Sequence, residues 1–301
     1  MNVLVTGGTG FIGRRLCAEL DDRGHEVTAL ARNPGDADLP DTVDTAMGDV
    51  SAYESIEPHF EGQDAVVNLV ALSPLFEPRG NLTHDSVHRK GTENVVRACE
   101  AHGVDRLVQM SGLGADPDAP TAYLRAKGRA EEIVRASDLD WVIVRPSVIF
   151  GEGGEFVSFT KKLTTPVVTG LPGGGKTPFQ PIWVGDIVPM LADTVEDDAH
   201  VGQTYELGGP EVLTLADVTR LAYAAEGKSI TILPIPLPIA NLGLALAGPL
   251  PFVPFGPDQG RSLELDHTVS HNDVEAFGVD PSDLTTLASY LGVERAAATA
   301  D

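Results

Sequence analysis

Lysine is scarce in this sequence of 301 residues, where it occurs only at positions 90, 127, 161, 162, 176 and 228. Lysine and arginine together number 21 against 44 acidic residues, so the formal net charge is −23 at pH 7. Such a surface repels phosphates, which argues against nucleic acid as a partner. An acidic, lysine-poor surface stays hydrated in strong brine, where salt screens its self-repulsion. We therefore hypothesise a halophilic protein from a salt-rich cytoplasm.

Cysteine is almost absent, with Cys17 and Cys99 as its two occurrences. Each lies in a predicted helix rich in apolar residues, and the spacing fits no metal-ligand or redox motif, so we predict buried free thiols and no metal. A basic and then apolar leader is also missing, since strand-like sequence begins at Asn2. This beginning predicts a cytoplasmic protein.

The first half of the sequence alternates strand-like and helix-like runs. Apolar strand patterns occupy 2–6, 26–31, 42–47, 65–70, 106–110 and 141–145, and helical patterns occupy 11–23, 52–60, 85–101 and 121–136. This order predicts βαβ units, hence an α/β Rossmann fold with a doubly wound parallel sheet. We predict a Rossmann domain over 1–150 and a small C-terminal cap over 151–301.

The predicted cap contains fewer clear patterns. A strand and helix over 181–195 are expected to pack on the Rossmann core, and further helices are predicted at 215–226 and 282–291. From Ser229 to Pro257 there is no charged residue, and repeated prolines exclude a single transmembrane helix there. Three interpretations stay open: a cap packed on its own core, an apolar lid over a lipophilic substrate, or a docking surface for a partner or a membrane.

A second glycine-rich stretch imitates a P-loop. Residues 170–177, GLPGGGKT, match the pattern GxxxxGK[ST]. A P-loop requires a helix that begins at the Lys-Thr pair, whereas Pro178 and Pro181 follow here. We therefore predict a loop and no ATP site.

The N-terminal glycines form a dinucleotide-binding fingerprint. Gly7, Gly10 and Gly13 follow the first predicted strand and open the first predicted helix. Gly7 allows the tight turn, Gly10 lets a pyrophosphate approach the backbone, and Gly13 lets helix and strand pack closely. The neighbouring loop residues complete the predicted cofactor contacts: Thr9, Phe11, Ile12 and Arg14.

The end of the second predicted strand indicates which dinucleotide binds. Domains that prefer NAD place an acidic residue there to hold the ribose 2′-hydroxyl. Here Ala31 occupies that register and Arg32 follows, which favours NADP(H) over NAD(H) because Arg32, with help from Arg14, could pair with a 2′-phosphate. The alternative is that both arginines are surface cations. Asp49 and Val50 follow the third strand, where they could reach the adenine; a simple turn aspartate is the alternative at position 49.

Tyr123 and Lys127 lie four residues apart in a predicted helix and therefore face the same side. A lysine ammonium beside a phenol lowers the pKa of that phenol, which could then transfer a proton to or from a carbonyl or alcohol. The pair follows the glycine fingerprint and the fifth strand in the order that hydride-transfer enzymes use.

These motifs together resemble the short-chain dehydrogenase/reductase superfamily in its extended and atypical branches, which include proteins similar to NAD-dependent epimerases and dehydratases. The resemblance covers nearly the whole chain and rests on VTGGTGFIG at 5–13, GD at 48–49, KGTENVVRAC at 90–99, YLRAK at 123–127, RPSVIFG at 145–151 and PIWVGDI at 181–187. Within the superfamily, LVQMSGLGADP at 107–117 and RPSVIFGEG at 145–153 look most like the NADPH-binding accessory subunit of respiratory complex I and its prokaryotic relatives.

The resemblance implies roles for particular residues. Tyr123 would be the acid/base, Lys127 would hold the nicotinamide ribose, and Ser111 would polarise the substrate carbonyl, although the serine register can also fall on Gly112. Backbone near Pro146 would contact the nicotinamide amide. His88 stands where the family usually has asparagine. This departure leaves binding intact and puts turnover in question.

Three functions follow from these predictions. The first is an NADP-dependent oxidoreductase acting on a carbonyl or secondary alcohol of a small, apolar substrate. The second is a non-catalytic, NADPH-loaded accessory or assembly protein of a respiratory complex, peripheral to a membrane. The third is a sugar-nucleotide epimerase or dehydratase, which the scarcity of basic residues after Gly151 disfavours. The oligomeric state is left open by the sequence.

Overall fold

The computed structural model describes residues 1–35, 37–75, 80, 82–236 and 257–293. The chain divides into two compact units. Unit 1 comprises Met1–Pro146 and Ile187–Glu206, and unit 2 comprises Ser147–Asp186 and Leu207–Asp301. The predicted boundary at residue 150 lies four residues beyond the end of the first segment of unit 1.

Thirteen strands are found among the described residues. They are β1 (Asn2–Thr6), β2 (Glu26–Ala31), β3 (Asp44–Met47), β4 (Ala65–Asn68), β5 (Arg106–Met110), β6 (Asp140–Pro146), β7 (Ile149–Phe150), β8 (Val167–Pro172), β9 (Pro178–Phe179), β10 (Ile182–Trp183), β11 (Thr204–Leu207), β12 (Leu213–Thr214) and β13 (Ile230–Ile235).

Seven of these strands form one sheet in the order β11-β6-β5-β4-β1-β2-β3. The strands β1 to β6 pair in parallel. Chain order reverses at β1, which lies between β2 and β4, and such a switch point is where open α/β sheets bind ligands. The predicted doubly wound Rossmann sheet is thereby confirmed.

The main helices are α1 (Gly13–Asp22), α2 (Tyr53–Ile56), α3 (Lys90–His102), α4 (Ala122–Ala136), α5 (Glu155–Leu163), α6 (Val184–Glu196) and α7 (Leu215–Ala224). The predicted helix at 52–60 divides into α2 and a 3-10 turn at Glu57–Phe60, because Pro58 cannot donate the backbone hydrogen bond of an α-helix. A π-helical turn at Asp85–Arg89 precedes α3.

At its centre, the sheet of unit 1 is buried on both sides. Every residue of β4 and β5 is buried, as expected when helices cover both faces of a parallel sheet. The side chains of Leu4, Phe60 and Ile143 are fully buried in one cluster. Cys17 and Cys99 are buried free thiols, as the sequence predicts.

Unit 2 contains three two-stranded sheets, which pair β7 with β10, β9 with β12 and β8 with β13. Phe150, Phe179 and Leu287 belong to its apolar core. Helix α7 begins with a capping box in which Thr214 and Asp217 satisfy each other's backbone amides. Residues 173–177 form a turn and β9 begins at Pro178, so the P-loop-like glycines lead into a strand.

The helix predicted at 282–291 is shorter in the structure. Residues Pro281–Asp283 form a 3-10 turn, and the only regular helix in that range is the short segment Leu287–Tyr290, capped by Thr286. Residues 237–256 of the uncharged run lie outside the described residues. No helix in the described ranges is long and apolar enough to cross a membrane.

Candidate functional site

The glycine loop between β1 and α1 is shaped by close backbone contacts. Gly7 adopts φ +78°, and its N–H and that of Gly8 both donate to Leu30 O, at 2.8 and 3.3 Å. A Cβ on Gly13 would lie 2.2 Å from Gly7 O, whereas one on Gly10 would lie 3.1 Å from the same oxygen. Gly13 is therefore required by the packing of α1 on the loop, while Gly10 leaves the loop surface open.

The first turn of α1 is suited to an anion. Its N-cap residue, Ile12, offers no side-chain hydrogen bond, and the turn contains no acidic residue. The first amides of a helix lack internal partners and favour phosphate. Among the described residues, Arg14 Nε is also buried without a hydrogen-bond partner. These features fit the pyrophosphate of a dinucleotide.

A cavity of about 530 Å³ opens beside the end of β2, lined by Thr9, Asn33, Pro34, Gly35, Ala37 and Met47. None of these described lining residues is acidic. Arg32, which precedes Asn33, is exposed and forms no ion pair with the described residues. Arg32 therefore carries an exposed guanidinium one residue away in the chain from the lining of this cavity.

Asp49 and Val50 are held at the end of β3. Asp49 Oδ1 accepts hydrogen bonds from the Ser51 amide at 2.9 Å and the Ser51 hydroxyl at 2.7 Å, so this oxygen stabilises a turn. Val50 is buried, and its carbonyl accepts from Asn94 Nδ2 at 2.8 Å. These contacts fix the loop that the sequence assigns to the adenine.

Tyr123 and Lys127 lie on α4, whose first turn is capped by Thr121. Lys127 is buried, and its Nζ donates to Met110 O at 2.7 Å. Burial lowers the pKa of Lys127 to about 8 and raises the pKa of Tyr123 to about 12. The sequence-based expectation that Lys127 lowers the phenol pKa is thus reversed, because desolvation of the tyrosinate dominates.

Ser111 does not have a free hydroxyl. Its Oγ donates to Glu131 Oε1 at 2.5 Å, and Ser111 is buried. Glu131 is only 1% exposed and also accepts from Arg145 Nε and Nη2, at 2.8 and 2.7 Å, and from Arg135 at 2.9 Å. Ser111 therefore belongs to a buried ionic cluster.

Position 112 is the one that approaches the tyrosine hydroxyl. A Cβ on Gly112 would lie 3.0 Å from Tyr123 Oη. Of the two registers that the sequence leaves open for the family's serine, the geometry puts Gly112 next to Tyr123. This position carries no hydroxyl.

Two histidines surround the tyrosine ring. His84 and His88 stack with centroids 5.5 Å apart, and each meets the edge of the Tyr123 ring, at 5.6 and 5.3 Å. The His88 pKa lies well below its usual range, because burial and the charges of Lys127 and His84 disfavour the imidazolium. Its Nε2 accepts from the Leu72 amide at 3.4 Å, so the proton of the neutral ring lies on Nδ1. The sequence patterns did not identify His84 as a neighbour of Tyr123.

Pro146 ends β6, and its carbonyl accepts from the Leu113 amide at 3.1 Å. The carbonyl is thus used to hold the segment that follows β5. A backbone carbonyl has a second lone pair, so a contact of Pro146 with the nicotinamide amide stays a prediction.

A buried polar chain links the glycine loop to Lys127. Thr6 Oγ1 donates to Asn68 Oδ1 at 2.7 Å, Asn68 Nδ2 donates to Gln109 Oε1 at 2.9 Å, and Gln109 Nε2 donates to Met110 O at 3.0 Å. Met110 O is the same atom that accepts from Lys127. The sequence signal was present, because Asn68 and Gln109 are polar residues within the predicted strands 65–70 and 106–110.

Comparison with known proteins agrees with this geometry. A family model described as NAD(P)H-binding matches residues 7–168. The chain is 31% identical over 304 residues to NADH dehydrogenase [ubiquinone] 1 alpha subcomplex subunit 9, mitochondrial, of Arabidopsis thaliana, covering 92% of this chain and 73% of the relative. It is 24% identical over 305 residues to the photosystem II assembly factor Ycf39 of Synechocystis, covering 97% and 90%.

Among solved structures, a UDP-glucose 4-epimerase of Thermus thermophilus in complex with NAD superposes with a TM-score of 0.63 and 25% identity, covering 78% of this chain and 86% of that one. The glycine loop, the strand order and these similarities agree on a nicotinamide dinucleotide as the cofactor. The chain belongs to the NAD(P)H-binding family and is an atypical member of the short-chain dehydrogenase/reductase superfamily.

Proposed function

We propose that this chain binds NADP(H) as a stable ligand and acts as an accessory or assembly protein of a respiratory membrane complex. The dinucleotide would lie with its pyrophosphate at the first turn of α1 and its 2′-phosphate at Arg32. Lys127 would hold the nicotinamide ribose. The relatives named as a complex I subunit and as an assembly factor support the accessory role.

One observation favours this proposal over an oxidoreductase or an epimerase. The dinucleotide-binding elements are intact, but the hydroxyl that would polarise a substrate carbonyl is absent from its expected place, because Ser111 donates to Glu131 and Gly112 faces Tyr123. Such a site can retain a cofactor while turning over slowly. The third possibility, a sugar-nucleotide epimerase, has no further support from the described contacts.

The second candidate is a carbonyl reductase, and the retained Tyr123 and Lys127 favour it. A bound NADPH would supply the hydride in that reaction. Tyr123 would then donate its phenolic proton to the developing alkoxide oxygen. Lys127, with its pKa lowered to about 8, would be the nearby cation in neutral solution.

The cofactor preference is tested by Arg32→Ala. We expect the Kd for NADPH to rise about 10- to 100-fold, because charge-assisted hydrogen bonds to a phosphate contribute about 1.5–3 kcal/mol. The Kd for NADH should stay within about twofold, since NADH has no 2′-phosphate. Isothermal titration of both ligands, with the exposed Arg220→Ala as the control, checks this expectation. Equal losses for both dinucleotides would refute the role of Arg32.

The accessory role is tested by Gly112→Ser and Tyr123→Phe. We expect wild-type protein and Tyr123→Phe to reduce probe aldehydes and ketones with NADPH at equally low rates. Gly112→Ser should increase the rate about 100-fold, since one well-placed oxyanion donor contributes about 10²–10³-fold. Gly112→Ala provides the matched control without a hydroxyl. Fast wild-type turnover that Tyr123→Phe abolishes would instead establish the reductase.

A further inference from the structure

Acidic residues are missing from two long segments of unit 2. Residues 156–185 and 227–257 contain no aspartate or glutamate, although the chain has 44 such residues. The same segments hold four of the six lysines, at positions 161, 162, 176 and 228. A strongly acidic protein therefore has one region whose net charge is positive.

The fold brings these two segments together. Strands β8 and β13 pair in parallel over their whole length, from Val167 opposite Ile230 to Pro172 opposite Ile235. Thr169 and Leu171 are buried on one side of this ribbon. Because strand residues alternate between faces, Val168 and its cross-strand neighbours lie on the other side.

The outer side of the ribbon is aliphatic and exposed. Val168 is 45% exposed and Leu233 is 52% exposed. Ile235 covers Gly170, whose Cβ would lie 2.5 Å from Ile235 Cδ1. Clustered exposed aliphatic side chains are characteristic of an interaction surface.

Lysines border this surface at the end where both strands begin. Lys161 and Lys162 lie in the last turn of α5, and Lys228 precedes β13. Glu226 is held by both Lys161 Nζ, at 2.5 Å, and Lys228 Nζ, at 2.7 Å. One carboxylate thus faces two ammonium groups, so the edge remains positive.

We propose that this lysine-bordered face, formed by Lys161, Lys162, Val168, Lys228, Leu233 and Ile235, docks on the surface of an anionic lipid bilayer. Aliphatic side chains can enter the headgroup boundary while lysines at the margin pair with lipid phosphates. The acidic remainder of the chain is repelled by the same lipids, which favours an approach through this face. The proposal goes beyond the proposed function, because it holds whether or not the bound dinucleotide is turned over.

The experiment measures co-sedimentation of the full-length, NADPH-loaded protein with vesicles. One set contains phosphatidylcholine alone, and the other contains phosphatidylcholine with about one third phosphatidylglycerol. We expect at least about tenfold stronger binding to the anionic vesicles. The triple variant K161Q/K162Q/K228Q and the double variant V168S/L233S should each lose at least about tenfold of that binding.

Matched controls separate docking from general charge and folding effects. K90Q/R129Q/R220Q removes the same charge elsewhere, and V212S replaces a valine that is 56% exposed outside the ribbon. Both controls should bind anionic vesicles like wild type, and all variants should keep their NADPH affinity. Equal binding to both vesicle types would overturn the proposal, as would equal losses in variants and controls. If the wild-type protein did not bind NADPH, this result would contradict the proposed function alone.

Discussion

Gly13→Ala is expected to destabilise the protein by about 3 kcal/mol even without a dinucleotide, and to abolish NADPH binding. The added Cβ would lie 2.2 Å from Gly7 O and 2.7 Å from Gly8 Cα, so α1 must move away from the loop. Moving α1 displaces the amides that would hold the pyrophosphate. Chemical denaturation of the apoprotein and titration with NADPH measure the two effects separately.

Gly10→Ala serves as the comparison for this prediction. Its Cβ would meet only Gly7 O, at 3.1 Å, so the apoprotein should lose less than about 1 kcal/mol. The methyl group would nevertheless occupy the surface that a pyrophosphate approaches. The stabilisation by NADPH, about 2.7 kcal/mol at roughly 100 times the Kd, should therefore disappear. If both alanines destabilise the apoprotein equally, the distinction between a packing glycine and a ligand glycine fails.

Glu131→Leu is expected to lower the free energy of unfolding by about 3–5 kcal/mol. Glu131 is buried and accepts hydrogen bonds from Ser111, Arg135 and Arg145. Without the carboxylate, the Arg145 guanidinium loses two of its hydrogen bonds and the buried Ser111 hydroxyl loses its acceptor. Glu131→Gln keeps the shape and should lose less, about 1–3 kcal/mol.

The neighbouring Glu132 provides the control for this cluster. It lies on the same helix but is exposed, so Glu132→Gln should change stability by less than about 0.5 kcal/mol. Thermal and denaturant unfolding of the three variants in the same salt give the comparison. A loss for Glu131→Leu no larger than that for Glu132→Gln would show that the buried carboxylate is dispensable.

Most of the Rossmann sheet could be predicted from the sequence, because short apolar runs bounded by glycine or polar residues define parallel strands well. The predicted bounds of β1, β2 and β5 agree with the structure. β11 was missed, since Thr204–Leu207 alternates too briefly to show a pattern. The helix predicted at 282–291 is shortened to Leu287–Tyr290, because Pro281 opens a 3-10 turn and Thr286 caps the helix.

The candidate site was predictable where function requires a local backbone shape. The glycine fingerprint demands turns and close contacts that adjacent residues already encode. The partner of Ser111 could not be predicted, since Glu131 comes from a different element, 20 residues further along. The predicted direction of the Tyr123 pKa shift was wrong for a similar reason. Burial raises this pKa, and burial depends on the packed structure and not on the spacing between Tyr123 and Lys127.

The buried polar chain also has a consequence for how the sheet assembles. Thr6, Asn68 and Gln109 face each other across β1, β4 and β5 in a single register. If one strand slipped by a single residue, its polar side chain would turn to the opposite face of the sheet. Each amide left unpaired in the interior would cost about 1–3 kcal/mol. The three hydrogen-bonded side chains therefore help to specify the strand register. They raise the free energy of sheets with a shifted register relative to the native sheet.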